Sequence, residues 1–287
     1  MVVFDELRVR RLPLGSPGDG PYDVVAAGDG TAWVSLVHAG AVVRVDLADG
    51  RVMDRVELGA DSKPTVLAVA AGAVWCSRGD GWLSEVTGRA EAVRVDGTPY
   101  GVAATADGAL WFSEMTGHRL GRVADGAVDY VPLPAGSFPA GVVQGPDGAV
   151  WCALNTAGAL ARVDADLGVT VHPLPTPGAA PVGVTATADA VWCVQIGAGQ
   201  LARVSSDGQV REFPLPDRAA RPHAVVPGSG GVWFTEWAAA AVGFCAEDGT
   251  VVRARLPKGS EPHGLTAVGP GVWVACESGE LARVDPA

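Results

Sequence analysis

A chain of 287 residues, 48% apolar with a mean hydropathy of +0.23, can build one large all-β domain or two ordinary domains. Its formal charge of −11, with Arg8-Val9-Arg10-Arg11 as the densest basic stretch, argues against a nucleic acid or an anionic membrane as partner. Five cysteines without a CxxC pair argue against a disulfide framework or zinc knuckle, and no apolar run or basic leader marks a membrane span or secretion signal, so a cytoplasmic protein is expected.

Along the chain, Arg8 to Leu14 reads as an isolated strand ending in Leu12-Pro13-Leu14. A repeat follows. Trp33, Trp75, Trp111, Trp151, Trp192, Trp233 and Trp273 recur at intervals of 42, 36, 40, 41, 41 and 40 residues. Each lies in a short apolar strand after a Gly-containing turn, as in "ATADGALWF" and "PGSGGVWFTE". Eleven or twelve residues before each Trp stands a proline: Pro21, Pro64, Pro99, Pro139, Pro181, Pro222 and Pro262. A third strand follows the Trp, as in Leu160-Ala161-Arg162-Val163, and a fourth ends in Pro-Leu-Pro at residues 132–134, 173–175 and 214–216.

Four short strands per period of about 40 residues are the pattern of a propeller blade, and the Gly and Pro density disfavours a helical repeat. The fold expected is therefore all-β, a single seven-bladed β-propeller over residues 1–287. Its seventh unit stops after three strands. Arg8 to Leu14 resembles the fourth strands "VDYVPLP" and "VREFPLP", so the N-terminal strand is expected to close the last blade.

The first strand of each blade is expected to line the axis, and the residue after the blade proline reads Tyr22, Thr65, Tyr100, Ala140, Val182, His223 and His263 round the ring. Groups able to bind or transfer protons thus gather in blades 6, 7 and 1. Glu261 and His263 flank Pro262, and extended residues two apart share a face. Glu277 follows four residues after Trp273, read as part of the neighbouring strand. Two carboxylates with imidazoles beside them suit a hard divalent cation and a general base. Solvated glutamates and hydrogen-bonded histidines account for the same residues without chemistry.

"RPHAVVPGSGGVWFTEW" (Arg221 to Trp237), "EPHGLTAVGPGVWVACESGEL" (Glu261 to Leu281), "GPYDV" (Gly20 to Val24) and "TPYGVAATADGALWFSEMTGHRLGRV" together resemble the virginiamycin B lyase (streptogramin B lyase) family over the full chain. The resemblance implies a magnesium-dependent carbon–oxygen lyase that linearises cyclic depsipeptide antibiotics by elimination at the ester, a role in antibiotic resistance, and a monomer. Carried over, it implies that Glu261 and Glu277 hold Mg²⁺, that His263 accepts the proton, and that His223 and Tyr22 contact substrate. Blades 2, 4 and 5 depart from the family's W-F-T-E pattern, reading Trp75-Cys76-Ser77-Arg78, Trp151-Cys152-Ala153-Leu154 and Trp192-Cys193-Val194-Gln195. A lactonase-type hydrolase and a non-catalytic binding propeller are the alternatives.

Among the remaining residues, Cys76, Cys152 and Cys193 read as small core side chains. His38, His118 and His172 read as surface or structural, and Glu114 and Glu236 as groups that support the site residues or pair between blades. Trp237 breaks the period and could wall an aromatic ligand. The seven repeat tryptophans read as core.

Overall fold

Antiparallel pairing of short alternating strands turns each repeat into a sheet. In the computed structural model, which describes residues 6–88, 91–124, 126–205 and 207–287, twenty-eight strands form seven four-stranded antiparallel sheets. These are the seven blades of a β-propeller. No helix among the described residues is long and apolar enough to cross a membrane.

The chain divides into two compact units, residues 1–67 with 215–287, and residues 68–214. The first carries blade 1, whose first strand is Pro21–Ala26, blade 6, opening with Pro222–Gly228, and blade 7, opening with Pro262–Val268. Blade 7 is completed by Leu7–Pro13, which pairs antiparallel with Glu280–Pro286 in the register Val9 to Val284 and Leu12 to Leu281. The N-terminal strand therefore closes the last blade. Arg10 lies over the Trp273 ring at 5.3 Å from its centroid, so the outermost strand covers the blade's tryptophan with a cation.

The second unit carries blades 3, 4 and 5, opening with Pro99–Ala104, Pro139–Gln144 and Pro181–Ala186, and most of blade 2. In every blade the first strand starts at its proline. Its fixed φ suits an edge-like strand start where no ladder donor is needed.

Why the tryptophans repeat follows from the packing. Trp273 of blade 7 joins Val24, Ala32 and Val34 of blade 1 in one buried cluster, and Trp233 of blade 6 joins Leu265, Val272 and Val274 of blade 7. Within the second unit Trp111 packs with Val142, Val150 and Cys152, and Trp151 with Val191 and Cys193. Each of these indoles lies on the next blade, and a large rigid apolar group at one fixed place joins sheet to sheet. Six of the seven are buried; Trp75 is only half-buried, because its blade carries short third and fourth strands, Trp82–Glu85 and Ala92–Arg94. All five cysteines are buried, and burial pushes the Cys193 thiol up to about 12.

Glu114 and Glu236 are also buried, but their partners lie within their own blades rather than between blades. Glu236 accepts from Arg253 Nε at 2.6 Å, and Glu114 accepts from the Thr98 amide and the Thr116 hydroxyl. Buried carboxylates persist only when paired in this way.

Candidate active site

The first unit brings together the residues that sequence placed in blades 6, 7 and 1. His223 and His263 each stand second on their strands, directly after the blade proline. Their rings meet edge to face at 4.7 Å between centroids. Tyr22, second on the first strand of blade 1, stacks on His263 at 4.5 Å with an interplanar angle of 24° and meets His223 edge-on at 6.0 Å. Trp237 lies 6.5 Å from the His263 ring. Beside it a cavity of about 680 Å³ is lined by Trp237, Arg255, Lys258 and Glu261 among others.

Glu277 is the polar centre of the group. Its Oε2 accepts from His263 Nε2 at 2.6 Å, and its Oε1 accepts from His38 Nε2 at 2.7 Å. With the His263 Nε2–H donating, the lone pair falls on Nδ1, which is buried and has no hydrogen-bond partner. One ring nitrogen is thus oriented by a carboxylate, as in carboxylate–histidine bases, while the other is unpartnered and shielded from solvent. Burial lowers the His263 pKa below the usual imidazole value, against the opposing pull of the Glu277 charge. His223 also has a shielded, unpartnered Nδ1, and burial, with the neighbouring His263, pushes its pKa down to about 3.

The local backbone departs from strand alternation at both acidic residues. Glu261 is not extended. It lies before the strand in the left-handed region at φ 49°, with an exposed side chain, so the two-residue alternation with His263 does not apply. Glu277 is not on a strand either; it opens the turn after Gly271–Cys276. What brings the two acidic residues together is backbone: the Glu277 amide donates to the Glu261 carbonyl at 3.1 Å.

Their carboxylates fit a hard divalent cation in kind. Among the described residues no three His, Cys, Asp or Glu side chains converge as a preformed metal cage. A two-carboxylate set is what Mg²⁺ accepts, since it keeps several waters and completes its shell with substrate.

His38, expected as a surface or structural group, is exposed and pairs with Glu277. Asp23, unremarked, stands two residues after the blade proline, where the other blades have Val66, Gly101, Gly141, Gly183, Ala224 and Gly264. That comparison alone would have singled it out. Its carboxylate accepts from the amides of Leu67 at 2.8 Å and Val24 at 2.9 Å, and burial pushes its pKa up to about 7. On its other side lies Gly264, next after His263; a Cβ on Gly264 would overlap the Asp23 carboxylate and backbone. Gly264→Ala is therefore expected to destabilise the protein by ~1–3 kcal/mol through overpacking. Thermal melts check this, and an unchanged Tm would contradict the packing described.

The profile of the virginiamycin B lyase family matches residues 7–284. The chain belongs to that family. The virginiamycin B lyase of Nocardia farcinica is 42% identical over 180 residues, which cover 59% of this chain and 60% of that relative. The chain thus spans about three fifths of the length of this curated relative. Among solved structures, a streptogramin B lyase superposes with a TM-score of 0.91 at 29% identity, covering 98% of both chains. A catalytically inactive His-to-Ala variant of the Staphylococcus aureus virginiamycin B lyase with quinupristin superposes with a TM-score of 0.92 at 29% identity, covering 98% of this chain and 99% of that one. A WD40 propeller domain of Doa1 shares the fold alone, at 11% identity and a TM-score of 0.81.

Proposed function

We propose that this family member is a Mg²⁺-dependent carbon–oxygen lyase that linearises streptogramin B-type cyclic depsipeptides by elimination at the ester bond. The observation that carries the reading is the His263–Glu277 pair with its unpartnered Nδ1, in a chain of the virginiamycin B lyase family. His263 Nδ1 takes the proton from the carbon α to the carbonyl. The C–H electron pair becomes a carbon–carbon double bond, and the ester oxygen leaves with its bonding pair as a carboxylate. No water is added.

Glu277 orients the ring and stabilises the imidazolium that forms. His223, neutral because its pKa is about 3, can contact substrate amides without adding charge beside the base. Tyr22 restrains the His263 ring from one face and presents its remaining surface to an apolar ligand. Mg²⁺, held by Glu261 and Glu277 when bound, would supply Lewis-acid stabilisation of the charge that builds on the substrate carbonyl oxygen. A monomeric cytoplasmic enzyme is part of the same reading.

Mass spectrometry of a streptogramin B incubated with the purified protein tests the reaction class. The expected product is ring-opened and has the mass of the substrate, and EDTA abolishes its formation until Mg²⁺ is restored. A product heavier by one water would replace the lyase by a hydrolase. No turnover with substrate bound would leave a binding propeller.

A further inference from the structure

We propose that His38 is a positioning residue that fixes the carboxylate of Glu277 against His263. The two imidazoles take one oxygen each, His38 on Oε1 at 2.7 Å and His263 on Oε2 at 2.6 Å. A glutamate carboxylate rotates broadly about its last torsion, and Glu277 stands on a turn rather than in a strand. With His263 alone it could swing. The second charge-assisted hydrogen bond fixes its plane, and with it the direction of the His263 Nδ1 lone pair.

The repeat shows that blade 1 is built for this contact. The turn after the second strand is seated by the same two backbone hydrogen bonds in five blades. Val37 and His38 donate to the carbonyls of Gly20 and Asp19, just as Glu277 and Ser278 donate to those of Glu261 and Ser260. Asn155 with Thr156, Ile196 with Gly197 and Trp237 with Ala238 do the same in their own blades. The second place of the turn is thus small in blades 4 to 7, as Thr156, Gly197, Ala238 and Ser278, and an imidazole in blade 1.

Room for that ring comes from a second departure. The residue before the blade proline is Gly20 here but Lys63, Thr98, Phe138, Ala180, Arg221 and Glu261 elsewhere. A Cβ on Gly20 would overlap the His38 ring, and its φ of 70° suits glycine. An enlarged turn residue and a missing Cβ facing it are two changes that serve one contact. His38 keeps 54% of its side chain exposed and its ring nitrogen bonds to the Glu277 carboxylate, so the proposed role acts through Glu277.

His38→Ala and His38→Gln, the second retaining an N–H donor, test the assignment with two readouts. On the metal-free protein the downfield His263 Nε2–H resonance, identified by its loss in His263→Ala, is expected to shift and broaden in His38→Ala and to return in His38→Gln. With a streptogramin B and Mg²⁺, kcat is expected to fall about 10–100-fold in His38→Ala, as for other oriented carboxylate–histidine partners. KM should change little, and His38→Gln should restore most of kcat. The activity arm rests on the lyase reading, whereas the resonance arm does not. An unmoved His263 resonance in His38→Ala overturns the positioning role whatever the activity. A moved and rescued resonance in a protein without lyase activity upholds it and removes the lyase.

Discussion

His263→Ala is expected to lower kcat/KM for ring opening of a streptogramin B by about 10²–10⁴-fold, the range for losing a general base. The loss should fall on kcat, because Tyr22 and His223, which are expected to contact substrate, keep their places on their own strands. The variant should also remain folded. The imidazole is 7% exposed and stacks on one aromatic ring, so its removal leaves a small gap beside Tyr22 and Glu277 but breaks no inter-strand ladder. Steady-state kinetics with a thermal melt of the same sample separates the two effects. A folded His263→Ala protein within a few-fold of wild-type kcat would remove His263 from the chemistry.

The second large effect concerns stability and pH. Asp23 titrates at about 7 in the folded protein against 3.8 when unperturbed, because burial disfavours its charge. Its contribution to stability is therefore complete below pH 3.8 and is lost as the pH rises towards 7. His223 behaves in the opposite sense. Its folded pKa of about 3 lies below the ordinary 6.5, so its contribution is complete above pH 6.5 and is lost as the pH falls towards 3.

Between about pH 4 and 6.5 the unfolded chain binds one proton more at His223 and one fewer at Asp23, and the two slopes cancel. Each single variant exposes the other group. Relative to wild type, Asp23→Asn should gain stability as the pH rises through this window, and His223→Gln should lose it. The slopes should have opposite signs and approach 1.4 kcal/mol per pH unit, reduced by the partial solvent access of both residues. Urea denaturation of the three proteins from pH 4 to 8 measures this, other groups cancelling in the differences. Parallel stability–pH curves for all three would refute the paired burial.

What the sequence determined by itself is the repeat. Trp spacing, a proline at each first strand and Pro-Leu-Pro at strand ends are properties of near neighbours: pleat alternation, a fixed φ and a large side chain that must be covered. Those rules act within about a dozen residues, so seven blades, and by likeness to their fourth strands a closing strand at Arg8 to Leu14, could be read directly. The membership of His223, His263 and Tyr22 in one group was legible for the same reason, since equivalent places in the repeat share a direction.

The tertiary structure decided how the polar groups meet. Glu261 adopts a left-handed backbone and Glu277 opens a turn, so alternation along a strand could not relate them. The His38–Glu277 contact joins residues 239 apart in the chain. Likewise, Asp23 departs from the repeat by residue type, but that Leu67 and Gly264, from two other blades, enclose it shows only in the fold. Long-range pairings and desolvation depend on which turns the fold sets side by side, and neither local propensity nor residue type records that.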